Sequence, residues 1–468
     1  MSELIFNAFV MNTASHIQHG LWRHPEARQH DFADVDLWIG LARTLEAGLF
    51  DAMFFADVVG LYGPLNGDYT VNAREGLQIP NHDPSVLLSA LMVNTEHLGF
   101  ALTSSVLQAH PFEFARRAST LDHIGRGRFA WNIVTSTQEN AARNFGHERL
   151  TEHDERYEWA EEYLEVVYKL WEGSWDDDAL RRDKRRGVFS DPARIHKIHH
   201  AGKRYRVEGP HLPSPSPQRT PLLFQAGSSP AGRNFAARHA EGQFIAAPNV
   251  QAAAELIAQT RALARRHGRD GGDIKFLQGF AFVIGSTEEE ARRKEAELDA
   301  YVSTDGFLAH SNLGVSQDTG LPYPPETRLA DIRTNGGRSH IEWLRKANPQ
   351  REPTVGDLAR LVSRRHARLA GTPEQIADQL QAWQAAGIDG VNVINWMLPG
   401  SYEEFNAHLL PVLQRRGLAK REYRPGTLRG KLFGRDRLPE SHPGARYRGL
   451  FSRRPAEAPA ADGALAGA

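Results

Sequence analysis

The chain has 468 residues, with 56 Lys and Arg against 57 Asp and Glu for a net charge of −1, a balance that offers no global field for nucleic acid or an anionic membrane. It has no cysteine, which excludes disulfides, thiolate metal sites, iron–sulfur clusters and a thiol nucleophile and fits a reducing cytoplasm. The start, MSELIFNAFVMNTASH, does not read as a signal peptide, and no apolar run approaches the ~20 residues of a membrane helix, so the expectation is a cytoplasmic protein of two ordinary domains or one large barrel with insertions.

Strand-like and helix-like segments alternate. IFNAFVM (5–11) reads as a buried strand, followed by a polar loop and the amphipathic helix DVDLWIGLARTLEAGLF (34–50). AMFFA (52–56) is a short strand ending at Asp57, and a Gly/Tyr/Asn-rich loop runs from 58 to 82. PSVLLSALMVNTEH (84–97) is a helix with Pro84 in its first turn, LGFALTSS (98–105) a third strand, and FEFARRASTLDHI (112–124) a helix ended by Gly125 and Gly127. RFAWNIV (128–134) is the fourth strand, and 154–172 a long amphipathic helix. The charged, Pro-rich stretch 173–220 has no clean period and reads as an insertion. Strands resume at PLLFQAG (221–227), GQFIAAP (242–248) and IKFLQGFAFVIG (274–285), with helices at 230–240 and 250–267. A second, largely helical insertion covers 286–370, with loops around 312–328 and 333–340. Helix 373–387, strand GVNVIN (390–395) and helix 402–416 close the series. Residues 417–468 form an Arg/Pro/Gly-rich extension whose last dozen or so residues have the composition of a disordered tail.

Eight strands, each followed by a helix, predict a (β/α)₈ TIM barrel over residues 1–416. The alternative, a doubly wound sheet, lacks a GxGxxG after any early strand. A barrel places function at the C-terminal strand ends. Asn12, Thr13, Asp57, Thr103 to Ser105, Asn132, Gly227 to Ser229 and Asn395 all fall there.

Two of these stretches carry most chemistry. In RFAWNIVTS (128–136) an apolar run opens into Asn132, whose amide has an acceptor and two donors. It suits a ligand edge that alternates donor and acceptor, as a flavin ring does, or else caps the next helix. In QAGSSPAGRNFA (225–236) a strand passes through Gly-Ser-Ser into a helix, giving free amides and hydroxyls for a phosphate, with a simple Ser cap as the plainer reading. Asp57 either orients a ring group or makes a turn. Tyr157, one turn into the helix that Asp154 starts, either donates to a phosphate or packs in the core. His16 and His19 have the spacing of a helical metal pair, but no carboxylate lies near in sequence to complete a site. Pocket lining or proton delivery suits them better, and no metal is expected. The histidines of RIHKIHH (194–200) read as a solvated face.

The segments MNTASHIQHGLWRHP, FFADVVG, RRASTLDHIGRGRFAWNIVTS, RNFGHERLTEHDERYEWAEEYLEVVYKLWEGSW, PHLPSPSPQRTPLLFQAGSSPAGRNFA and LPGSYEEFNAHLLPVLQRRG resemble flavin-dependent monooxygenases of the bacterial-luciferase-like superfamily. The subgroup is that of the nitrilotriacetate, dibenzothiophene sulfone and long-chain alkane monooxygenases. The resemblance spans roughly residues 4–450. It implies a barrel binding reduced FMN (FMNH₂) at its mouth, with O₂ as co-substrate through a flavin C4a-hydroperoxide. A separate NAD(P)H-dependent flavin reductase supplies the flavin, a small organic molecule is the substrate, and the protein is a homo-oligomer, dimer or tetramer. Carried over by resemblance, Asp57, Thr103 and Asn132 contact the isoalloxazine side, while His153, Tyr157, Ser228 and Ser229 hold the phosphate. His16, Tyr62, Gln78 and Thr137 line the substrate space, with His16, Asn132 and Thr137 nearest the chemistry. Two positions depart from the alkane-oxidising pattern. Thr13 stands where that pattern has Cys, and Thr137 where it has His, which argues against an alkane substrate. Competing readings are a deazaflavin-dependent oxidoreductase on the same barrel, a metal-dependent hydrolase using His16 and His19, and a non-catalytic flavin-binding protein.

Overall fold

Eight parallel strands close on themselves. The computed structural model describes residues 3–62, 68–310, 323–332, 349–363 and 367–452, with isolated positions at 316, 319, 341 and 344–345. Its barrel strands are β1 (Ile5–Met11), β2 (Ala52–Ala56), β3 (Gly99–Ser105), β4 (Phe129–Val134), β5 (Leu222–Gln225), β6 (Gly242–Ile245), β7 (Lys275–Ile284) and, after one further strand β8 (Ala367–Gly371), β9 (Gly390–Ile394). Each pairs in parallel with the next, and β9 closes the ring between β7 and β1. The expected TIM barrel is therefore observed.

The strands are buried on both faces, as crossover helices require. Side chains facing outward, such as Phe6, Ala8, Val10, Met53 and Phe55, pack against helices such as Val35–Ala47 and Pro84–Val93. The alternate set faces inward. Ile5, Phe9, Phe54, Ala101, Ala130, Leu222, Phe224, Leu277 and Ile394 form a separate interior cluster. Four phenyl rings meet across it: Phe9 lies 5.6 Å from Phe54 and 4.8 Å from Phe244, and Phe54 lies 5.2 Å from Phe224. The barrel is plugged at mid-height, as small barrels are.

Two expectations need correction, and two others gain detail. Residues 367–370, read as the end of an insertion, belong to β8, which pairs with the second half of β7 from Phe280 to Ile284. The strand β7 runs ten residues, and β6 covers only its first four, so its upper half is an edge that recruits β8. The loop read from 58 to 82 contains a short helix, Thr70–Glu75. The stretch 173–220 contains two small antiparallel hairpins, Leu180–Asp183 with Val188–Ser190 and His200–Ala201 with Arg206–Val207. The second insertion does carry helices Glu288–Tyr301, Thr304–His310 and Val355–Ser363. The loop expected at 333–340 and much of that at 312–328 lie outside the described residues.

The C-terminal extension also gains detail. Residues 418–452 fold back across the N-terminal ends of the strands and form the barrel floor. Leu428 joins the interior cluster from below. Arg429 is fully buried and pairs with the equally buried Glu241, immediately before β6, at 2.7 and 2.8 Å. Lys420 reaches Asp51 at 2.6 Å, and Arg448 reaches buried Glu172 at 2.8 Å. The terminal stretch expected to be disordered lies outside the described residues. Among the described residues no helix is long and apolar enough to cross a membrane.

Candidate active site at the barrel mouth

Thr103 and Asn132 are register partners on β3 and β4, two residues below the positions where those strands open. The Asn132 amide donates to Thr103 Oγ1 at 2.9 Å, and this bond fixes its orientation. Its carbonyl oxygen Oδ1 is buried with no partner among the described residues. An unmatched buried acceptor costs ~1–3 kcal/mol, so this atom fits a ligand donor approaching along the barrel axis.

Asp57 follows β2 directly. Its Oδ1 accepts from Asn81 Nδ2 at 2.9 Å, and the same amide donates to Val58 O at 3.1 Å. Burial pushes the Asp57 carboxyl up to about 7; the Asn81 hydrogen bond opposes the rise and Asp83 adds to it. The sign of the consequence is fixed. The folded carboxyl keeps its proton to about 7 and the unfolded one releases it near 3.8, so stability falls as pH rises through that window and levels off above it. Between pH 5 and 8 this group is expected to cost roughly 2–3 kcal/mol. Urea unfolding of the parent and Asp57→Asn at both pH values checks this, because the variant should lose that part of the slope. Parallel slopes would show that the carboxyl does not titrate there.

The second half of the mouth follows β5. Gln225 Oε1 accepts the Gly227 N–H at 2.7 Å and shapes the turn. Ser229 then caps the helix Pro230–His239, its Oγ accepting from the Gly232 N–H at 3.0 Å. Pro230 occupies a first-turn position that has no intrahelical acceptor to satisfy. The Tyr157 hydroxyl presses on this turn so closely that a Cβ at Gly227 or Gly232 would sit 2.8 or 2.6 Å from it. Only glycine admits that approach. Tyr157 also hydrogen-bonds Ser229 and Gln225, and burial keeps its phenol protonated well into the alkaline range. Helix-terminal amides, a serine hydroxyl and a phenol thus converge on one point, the donor set an anion needs. Ser229 serves both readings, cap and seat. Ser229→Ala is expected to lower folding stability by ~1 kcal/mol through the cap and flavin affinity by roughly 1–2 kcal/mol through a charge-assisted bond. Denaturation and flavin titration separate the two, and a variant with unaltered flavin affinity would leave Ser229 a cap only.

A cavity of about 230 Å³ joins the halves, lined by Asp57, Tyr62, Ser105, Thr137, Tyr157 and Gly227, among others. Four of the sequence-predicted residues therefore share one space. Thr103 and Asn132 lie one layer deeper on their strands. Ser228 is exposed beside the seat. His153 stands at the rim, its Nδ1 2.7 Å from Asp154 and its ring 5.3 Å from Tyr157. Thr13, His16 and Gln78 are absent from the cavity lining. Thr13 donates to Pro80 O at 2.6 Å, the His16 ring packs on Phe9 at 4.7 Å, and Gln78 is buried with its Oε1 unmatched. His19 lies 3.0 Å from Ser15 Oγ and 2.6 Å from His310, whose ring packs on Tyr62. Among the described residues no group of three or more His, Asp and Glu side chains is placed to hold a metal.

Three contributors escaped the sequence reading. Gln225 lies inside the QAGSSPAGRNFA motif, where a strand-end glutamine carries no signature of the turn it shapes. Asn81 sits in a stretch read only as loop. Arg156, which donates to Ser136 O and keeps a buried Nε without a partner, read as one charge among many on a long helix.

Comparison with known proteins identifies the family and the fold. The model of the luciferase-like monooxygenase family matches residues 11–390. The chain is 42% identical over 457 residues to the long-chain alkane monooxygenase of Geobacillus thermodenitrificans, covering 96% of this chain and 99% of that protein. It is 40% identical to the dimethyl-sulfide monooxygenase of Hyphomicrobium sulfonivorans, covering 96% and 94%. A crystal structure of a riboflavin lyase with modified FMN and riboflavin superposes with a TM-score of 0.86 at 37% identity, covering 96% of this chain and 100% of that one. Matched in sequence and fold over nearly its whole length, the chain belongs to the luciferase-like monooxygenase family of flavin-dependent enzymes.

Proposed function

We propose that this protein is the oxygenase component of a two-component system. It takes reduced FMN from a separate NAD(P)H-dependent flavin reductase and uses O₂ to oxygenate a small organic substrate at the barrel mouth. The observation that carries the reading is the meeting of two recognition chemistries around one cavity. The Gly227–Ser229 turn with Tyr157 suits a phosphate, and Asn132 with Thr103 offers a neutral acceptor that lacks a partner. A ribityl phosphate ending in a ring with polar edges needs that combination. Ser228 and His153 stand at the phosphate end, and Asp57 at the ring end, where its carboxyl can hold or release a proton near neutral pH.

Reduced flavin supplies the electrons that activate dioxygen, chemistry no amino-acid side chain offers. The chain's own work is to bind, orient and exclude water. Tyr62 and Thr137 stand in the remaining space of the cavity. The missing dinucleotide fingerprint is the reason for assigning flavin reduction to a partner. Among the described residues one phosphate seat stands out and nothing reads an adenine, which favours reduced FMN over FAD, and comparable affinities in a titration would remove that preference.

The test combines the protein with a generic flavin reductase, FMN, NAD(P)H and a panel of sulfides, sulfones, alkanes and polycarboxylates under ¹⁸O₂. Expected is a product carrying the label, formed only in the presence of oxygen and flavin. Product formation in its absence, driven by a deazaflavin, would favour hydride transfer on the same barrel. Flavin binding with no turnover of any kind would favour a binding protein.

A further inference from the structure

The floor of the barrel holds a second cavity, of about 170 Å³. It lies at the N-terminal ends of the strands, and the four-phenyl plug separates it from the mouth. Its wall joins the residues preceding β2 and β9, the first residue of β7 and the C-terminal segment that forms the floor.

Charge dominates this wall, and its pairing is uneven. Asp51 accepts from the Phe6 N–H at 2.9 Å and from Lys420 at 2.6 Å. Asp389 accepts from the Phe276 N–H at 3.0 Å and from Lys275 at 3.2 Å. Glu3 faces Arg424 at 3.6 Å. Each carboxylate thus has at least one cation, and Asp389 has a second in Arg261 at 3.7 Å. Lys431 is left over. Its ammonium has three donors but makes one hydrogen bond, to His97 O at 2.7 Å, and has no carboxylate within ion-pair distance among the described residues. Burial, Arg128 and Lys420 act against its charge, while Asp51 and Glu46 support it, and the amine is pushed down to about 8.

A second observation points the same way. Lys420 and Lys431 both stand over the Tyr423 ring, 5.7 and 5.2 Å from its centroid. The tyrosine hydroxyl donates to Phe50 O at 2.6 Å, which locks the ring in place. Two ammonium groups are therefore gathered around one fixed aromatic face, with Asp51 paired to Lys420 and no carboxylate in ion-pair contact with Lys431 among the described residues. Like charges brought together in a half-buried recess raise each other's cost unless an anion joins them.

We propose that the floor cavity binds a small oxyanion, a phosphate or a carboxylate group, with Lys431 as its principal cation and Lys420 and Arg424 beside it. The ligand would bridge the C-terminal segment and the strand ends, and so bind the native state in preference to the unfolded one. This inference does not rest on the flavin reading, because the two cavities share no residue.

Calorimetric titration with inorganic phosphate, and separately with succinate, at constant ionic strength tests it. Expected is a saturable phase that Lys431→Met weakens at least tenfold and Arg424→Gln weakens severalfold, with flavin affinity unchanged in both variants. Arg424 is mostly exposed, so its variant serves even if Lys431→Met does not fold. The arm that saturates tells phosphate from carboxylate. No saturable binding of either anion overturns the proposal. So does a phase that both substitutions leave intact, because that anion would be held at the mouth seat.

Discussion

Arg429→Met is expected to destabilise the protein by ~3–5 kcal/mol. Arg429 and Glu241 are both fully buried. The guanidinium donates twice to Glu241, to Pro221 O at 2.9 Å and to Asp436 O at 3.0 Å. Methionine fills most of the volume, so cavity formation is a minor part of the loss. The larger part is a carboxylate left in the floor without its counter-charge. Against the 5–15 kcal/mol that typically separates folded from unfolded states, this is a large fraction. Pairing the substitution with Glu241→Leu should recover much of the loss, because removing both charges leaves nothing unmatched. Denaturant midpoints of the parent, both single variants and the double variant provide the measurement. Strict additivity would mean that the pair is not the source of the effect.

The second large effect is expected in function rather than stability. Asn132→Leu should fold with an unfolding midpoint near the parent's, since leucine has the same number of side-chain heavy atoms branched at the same carbon and the position opens toward the mouth among apolar strand residues. What vanishes is the one unpartnered acceptor at the end of β4 and the bond that orients it from Thr103. Flavin polar atoms facing leucine would lose hydrogen bonds worth roughly 1–3 kcal/mol each. We expect weaker binding of reduced FMN and more H₂O₂ released per flavin oxidised. A folded variant that couples oxygen to product as efficiently as the parent would place Asn132 outside the working site.

The barrel was legible because its signals are local. IFNAFVM and AMFFA are bounded by polar turns, and the strands they predict, 5–11 and 52–56, are those observed. Asp83 followed by Pro84 announces a helix start, and the Asp83 side chain does cap that helix. Strand β8 was not legible. Its sequence, ARLAG, has no apolar run, and it is a strand only because β7 outreaches β6 and leaves ladder groups to be paired. Arg429 was hidden for a related reason. Arginine is ordinarily a surface residue, and nothing in LRGKLF says that Glu241, 188 residues earlier, awaits it. The site divides the same way. Asn132 and Ser229 stand where a strand ends or a helix begins, positions a sequence reveals. Asn81, which holds Asp57 from 24 residues away, acts through a contact that only the closed barrel creates, whereas Gln225 shapes the Gly227 turn locally, through a side-chain bond to a backbone amide that its residue type alone does not announce.

The phenyl plug formed by Phe9, Phe54, Phe224 and Phe244 also sets a rule of traffic. Among the described residues these rings fill the barrel axis, so on the proposed function the mouth would be both entrance and exit. Cofactor, oxygen, substrate and product would share one doorway, and whatever sits deepest would arrive first and depart last. Turnover would thereby be committed to a sequence of arrivals. An organic substrate supplied in excess before the flavin should obstruct loading and slow the enzyme, whereas the same excess supplied afterwards should not.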